Sequence, residues 1–254
     1  MNRHRMRCAV WLVVVTFGAG CGGDTMPGIE SYLRPEPYPK LEIEVDHVPG
    51  MEPRAWTKSQ LIDGLGTILD KPGGIQVLRD QPLEAHGPTG TWTLDELQRL
   101  AEDTFDHAAA GDTIRMHALF VDGHYVEDTA DSKVLGLAWS NTHVALFKQT
   151  IEETCGSASI PAKDKLCALT ELAVWTHEIG HVIGLVDNGL PMVASHLDTE
   201  HGHHCDDPKC IMYWQADTPA LVSLLRDRIA GGNTSPLGFG AACQADIATV
   251  RDGQ

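Results

Sequence analysis

Positive charge is scarce in this chain: 19 lysines and arginines face 35 aspartates and glutamates over 254 residues, a formal charge of -16. That balance argues against nucleic acid or an anionic membrane surface as an electrostatic partner, and plain solubility is enough to account for it. Internal repeats, low-complexity runs and a glycine-rich phosphate loop are also missing, which removes solenoid and P-loop readings. One long apolar run exists, residues 9–17, and it is too short to cross a bilayer as a mature helix. Arg3, Arg5 and Arg7 precede it and Gly18-Ala19-Gly20-Cys21 follows, the arrangement of an export signal. A cysteine directly after small residues resembles a bacterial lipobox, so Cys21 is the expected lipid anchor of an exported, cell-envelope or secreted protein. Losing residues 1–20 takes three arginines away and leaves 16 basic residues, so the exported chain is more acidic still.

Residues 21–40 are rich in glycine and proline with little apolar periodicity, and read as a flexible tether. The domain is expected over 41–254, an α+β fold with a mixed sheet and one long active-site helix. Leu41, Ile43 and Val45 alternate with acidic residues as in a half-buried strand. Thr93 and Glu96 have capping-box spacing before an apolar stripe running to Phe105. Strands are expected near 75–78, 114–120, 134–138 and 141–147. Helices are expected at 57–69, 163–184, 219–229 and 242–250.

Outside the cytoplasm thiols usually become disulfides. With Cys8 leaving in the signal and Cys21 acylated, five cysteines remain. Cys155 with Cys167 and Cys205 with Cys210 are the expected pairs, each closing a short loop, and Cys243 is left over. Before Leu41 only Cys21 would be available as a zinc-blocking thiol, which argues against a cysteine switch.

The chemistry is concentrated at His177-Glu178-Ile179-Gly180-His181. At 3.6 residues per turn, His177 and His181 project from one helix face at a spacing that one metal ion can bridge, with Glu178 beside it. Neutral imidazoles, an open metal position and a neighbouring carboxylate suit water-mediated hydrolysis. Catalytic zinc generally takes three protein ligands, so a third must lie downstream. Asp187, three residues past Gly184, is one candidate. His204 is another, with His196, His201 and His203 near it, and Glu200, 19 residues past His181, is a further one.

The string His177 to Gly184, continued by His204-Cys205, Cys210 and Met212, resembles the metzincin pattern and within it the archaemetzincin signature. The match covers roughly residues 174–214. Residues 185–203 intervene before the histidine, and the later CxxC pair with which archaemetzincins build a second zinc site is missing. The resemblance implies a divergent exported metzincin-type zinc peptidase with one catalytic ion held by His177, His181 and His204. It further implies Glu178 as general base and Met212 in the turn below the metal. Tyr213 is a candidate oxyanion donor, and residues 136–141 are a candidate edge strand for an extended peptide. The expected substrate is a peptide or protein and the expected state a monomer. Two rival readings stay open: a gluzincin-type peptidase using Glu200, and a non-catalytic surface module folded around zinc.

Overall fold

The computed structural model describes residues 27–253 apart from Asp131, Ser159 and Pro161. The expected signal peptide and Cys21 lie outside the described residues. No described helix is long and apolar enough to cross a membrane.

The elements run α1 (Glu30–Leu33), β1 (Lys40–His47), α2 (Ala55–Ile68), β2 (Ile75–Pro82), β3 (Thr91–Trp92), α3 (Leu94–Thr104), β4 (Ala109–Ala110), β5 (Thr113–Val121), β6 (His124–Tyr125), β7 (Gly136–Trp139) and β8 (His143–Phe147). They continue with α4 (Lys148–Gly156), α5 (Lys163–Val182), a 3-10 turn (Trp214–Asp217), α6 (Ala220–Ala230) and α7 (Ala241–Arg251). The main sheet has the order β2-β1-β5-β8-β7, with β4 pairing beside β5. Strands β2, β1, β5 and β8 are mutually parallel, and β7 lies antiparallel at the edge against β8. This is the mixed α+β architecture that the alternating patterns imply.

Both faces of the sheet are covered. Leu41, Ile43, Val45, Met116, Phe120 and Leu146 join the larger core, which also contains Leu61 and Leu65 of α2 and much of α5. Leu119, Val121, Ala145 and Phe147 pack on the other side with Leu97 and Ala101 of α3. The Thr93–Glu96 capping box forms as expected and starts α3. The half-buried reading of β1 requires correction, because its acidic positions are buried too, Glu44 at 4% and Asp46 at 0% exposure. Local partners compensate that burial. Asp46 accepts from the Gln81 backbone N–H at 3.0 Å and pairs with His117 at 2.9 Å.

Ordered structure reaches into the stretch expected as a tether. Tyr32 and Leu33 are fully buried in the main core, so ordered structure begins before Leu41. Lys71 secures this segment by donating to the carbonyls of Ser31, Arg34 and Tyr38 at 2.5 to 2.7 Å, and burial lowers its pKa to about 8. Three backbone acceptors converging on one buried ammonium leave no periodic signal in sequence.

Cys155 of α4 and Cys167 of α5 form the expected disulfide. The Cys205–Cys210 pairing is corrected: both are free thiols, as is Cys243. Reducing the Cys155–Cys167 bridge, or replacing both residues with serine, should cost about 2–3 kcal/mol, as cross-linking a loop of this short length restricts the unfolded chain. Urea unfolding with and without reductant measures the loss.

Candidate metal centre

Helix α5 carries fifteen buried positions among its twenty residues, including Trp175, which meets Phe120 edge-on at 4.8 Å. It is buried nearly all round rather than striped on one face. Its C-terminus is set by Gly184, whose φ of +81° is open to glycine and whose close approach to Leu190 N leaves no room for a Cβ.

His177 and His181 meet at the last turns of α5, with Nε2 atoms 3.1 Å apart. His204 completes the group: one nitrogen from each of the three rings lies within 4.8 Å of the others. The tautomers are set from behind. His177 Nδ1 donates to Ile211 O at 2.7 Å and His204 Nδ1 donates to His201 O at 2.7 Å, which leaves both Nε2 lone pairs facing inward. His204 Nε2 is buried with no hydrogen-bond partner. Converging lone pairs without a shared proton repel one another, and a cation between them satisfies all three, so the donor set fits zinc.

Burial, helped by the neighbouring rings, lowers the pKa of His177 to about 3 and that of His181 well below the usual range; burial also lowers His204. The imidazoles are therefore neutral at neutral pH, the form that binds metal. Glu178 is 2% exposed, and burial with the nearby charge of Asp217 pushes its carboxyl well above the carboxylate range. Burial likewise raises Asp217 to about 7. Glu178 lies against β7, where a Cβ on Gly136 would press on its Oε1 and Cγ. Among the described residues the outer side of β7 has no strand partner, so a free sheet edge borders Glu178.

The other candidates lie elsewhere. Asp187 is exposed with φ +59° in the turn after Gly184. Glu200 is exposed in a turn capped by Asp198. His201 pairs with Asp198 and stacks on Trp214 at 4.3 Å. His203 Nδ1 faces Val186 O at 3.2 Å. Met212 is fully buried beneath α5, and Tyr213 is half-buried with its ring tilted against Trp214. The approach of Met212 depends on Gly180, where a Cβ would collide with the Met212 Sδ.

A second donor cluster holds the three free thiols. Cys210 Sγ and Cys243 Sγ are 3.5 Å apart, too far for a disulfide. His196 Nδ1 lies 3.4 Å from Cys205 Sγ and 4.0 Å from Cys243 Sγ. All four side chains are buried. The neighbouring thiols Cys205 and Cys243, with the N–H groups of Gly240 and Met212, hold the Cys210 thiol well below its ordinary range, favouring thiolate. His196 Nε2 meets Asp246 at 2.7 Å; burial pulls the His196 pKa down, but Asp246 and Cys205 together raise it on balance. Donor atoms of His196, Cys205 and Cys243 lie within 4.8 Å of one another, and Cys210 adjoins that group through Cys243; three thiols and an imidazole backed by a carboxylate are the residue types of a structural zinc site. The sequence reading missed it because Cys243 lies on α7 and His196 in the 185–203 segment, far from the Cys205–Cys210 pair. The unpaired Cys243 was the available signal.

A mixed sheet under a buried helix that presents two imidazoles to a third defines a metzincin-like fold. No family profile matches the chain, and no curated protein sequence does. Among solved structures it is similar to archaemetzincin from Methanopyrus kandleri, with a TM-score of 0.51 over 84% of this chain and 97% of that one, at 13% identity. At that identity the likeness establishes the fold, which is archaemetzincin-like.

Gly180→Ala should destabilise the protein by about 1–3 kcal/mol, because the new methyl has nowhere to go but into Met212. Gly64→Ala is the control: a Cβ there meets nothing within 4 Å, and the helix should gain up to about 1 kcal/mol. Urea midpoints of the two variants should move in opposite directions.

Proposed function

We propose that this protein is a zinc-dependent endopeptidase of metzincin type, exported and lipid-anchored through Cys21, acting as a monomer on peptide or protein substrates. The observation that carries the reading is the convergence of His177, His181 and His204 beside a buried, uncommitted Glu178 and a free sheet edge. In this reading the three histidines hold the ion. Zinc there supplies Lewis acidity that polarises a carbonyl and acidifies a water.

The chain's own groups do the rest. An extended peptide adds to the outer side of β7, its backbone pairing with residues 136–139 and its scissile carbonyl brought towards Glu178. Glu178 takes a proton from the attacking water as its oxygen bonds to the carbonyl carbon. The same carboxyl then delivers that proton to the amine nitrogen as the C–N bond breaks, which leaves a carboxylic acid and an amine that together settle as carboxylate and ammonium. Tyr213 is the candidate phenol donor to the oxyanion of the tetrahedral intermediate. Met212 shapes the floor without coordinating. Glu178→Ala should abolish cleavage of an unfolded protein substrate while zinc content stays at the wild-type level. Undiminished turnover in that variant sinks the mechanism.

We further assign a structural zinc to Cys205, Cys210, Cys243 and His196, with Asp246 orienting the imidazole. The sequence supports one ion, and this donor set raises the expected number to two. Metal analysis of the purified chain should find two zinc ions. Cys243→Ser should release one of them and keep the other, whereas His204→Ala should do the converse with the thiolate ion retained. One zinc in the wild type, lost only on removing histidines 177, 181 or 204, counts against the structural site.

A further inference from the structure

One more carboxylate reaches the three-histidine group. Asp217 ends the 3-10 turn that follows Met212 and Tyr213, and its Oδ2 lies 3.9 Å from His204 Nε2, the ring nitrogen turned inward. Two restraints place it there. Its backbone carbonyl accepts from Leu135 N–H at 3.2 Å, which ties the turn to the residue before β7, and Ala216 beside it is buried. Among the described residues the ion-pair partner found for Asp217 is His204, and no lysine or arginine answers its charge.

Zinc bonds of about 2.0–2.1 Å in a tetrahedron put neighbouring donors roughly 3.3 Å apart. The His177 and His181 Nε2 atoms stand at 3.1 Å, whereas Asp217 Oδ2, at 3.9 Å from His204 Nε2, stays outside the 4.8 Å group of the three imidazoles and joins their polyhedron only by a swing of its side chain. Movement is available, since the Asp217 side chain is 31% exposed, unlike the fully buried His177. Asp187, the aspartate that spacing favours as a ligand, is exposed in its turn.

We propose that Asp217 is a labile fourth ligand of the His177–His181–His204 ion, capping it at rest and leaving when a substrate carbonyl and water enter. The inference rests on the three-histidine zinc reading above. It resolves a tension in that reading, because four protein ligands usually mark a closed structural site. A centre capped by one solvent-reachable carboxylate, beside a buried Glu178 that takes no part in holding the ion, is closed only until the cap swings away.

The test compares the intact chain with Asp217→Asn and His204→Ala. Each is loaded with zinc for chelator competition and with cobalt(II) for visible spectra, and acetohydroxamate serves as an exogenous ligand. Thiolate-to-cobalt bands from the cysteine cluster report that each variant is folded. Asp217→Asn should weaken binding of the histidine-site ion by at least about tenfold, on the scale seen for lost coordination partners. It should also change the ligand-field bands and tighten acetohydroxamate binding. Zinc affinity and cobalt bands that match wild type within twofold would overturn the proposal, including when turnover falls, since Asp217 would then be acting on substrate. A wild type that binds no ion sensitive to His204→Ala rejects the three-histidine reading itself, an outcome distinct from failure of the cap.

Discussion

A helix buried on nearly every side has no free surface for ionisable groups, yet α5 carries Glu171, His177 and Glu178 with exposures of 2% or less. Unmatched burial of each would cost several kcal/mol, so much of the molecule is arranged to answer them. Glu171 accepts from the backbone N–H and guanidinium of Arg54 at 2.8 Å and also pairs with Lys148. His177 gives its Nδ1 proton to Ile211. Glu178 alone has no such cationic partner, and its raised pKa follows. A carboxyl pushed towards its neutral form by burial, beside three neutral imidazoles, gains from a positive charge, and a cation at that point would favour the carboxylate.

The partners of α5 reach it because small residues stand where the approach is tight. Gly180 admits Met212, and Gly136 admits the Glu178 carboxylate to β7. These contacts join Glu178 to the sheet edge and α5 to Met212. His204 is placed differently, from a loop that no strand or helix fixes. Its neighbour Cys205 belongs to the second donor cluster, and Cys205 N–H also bonds Met212 O at 2.7 Å. Thus the chain beside the His204 imidazole is tied down through the backbone of Cys205, a residue of the second donor cluster.

Much of this was legible in the chain itself. The i, i+4 histidines, the capping box at Thr93 and the helix-ending Gly184 rest on local spacing, and local spacing is what a helix preserves. His204 rather than Asp187 at the cluster was a closer matter: the aspartate has the better sequence distance, but a positive φ in the turn carries it outward. The Cys155–Cys167 bridge forms as expected, whereas the Cys205–Cys210 pairing fails because Cys243 and His196, distant in sequence, share the same buried pocket. Cys205 and Cys210 stay free thiols in a cluster with Cys243 of α7. The early start of the fold, at Tyr32 and Leu33, hid inside a proline-rich stretch whose anchoring depends on Lys71, some forty residues away.

From Leu185 to Tyr213 the chain contains no helix and only one isolated bridge, Leu197 to Cys205. An irregular segment of that length inside a domain is uncommon, and ordering it costs about 1–2 kcal/mol per residue in backbone entropy. Scattered bonds such as Asp198 N–H to His204 O and Asp206 N–H to His196 O hold it at a few points. Each contributes about 1 kcal/mol, too little in sum to offset the entropy. The segment nevertheless supplies His196, His204, Cys205 and Cys210, donors to both clusters. A structural zinc contributes on the order of 10–16 kcal/mol to folding of the chain that binds it. Leu185, Val186, Leu190, Ile211 and Met212 tie the segment to the main core, and ions held at the two clusters would add to that ordering. Residues 185–203 carry His196 to Asp246 of α7 and return to place His204 beside α5.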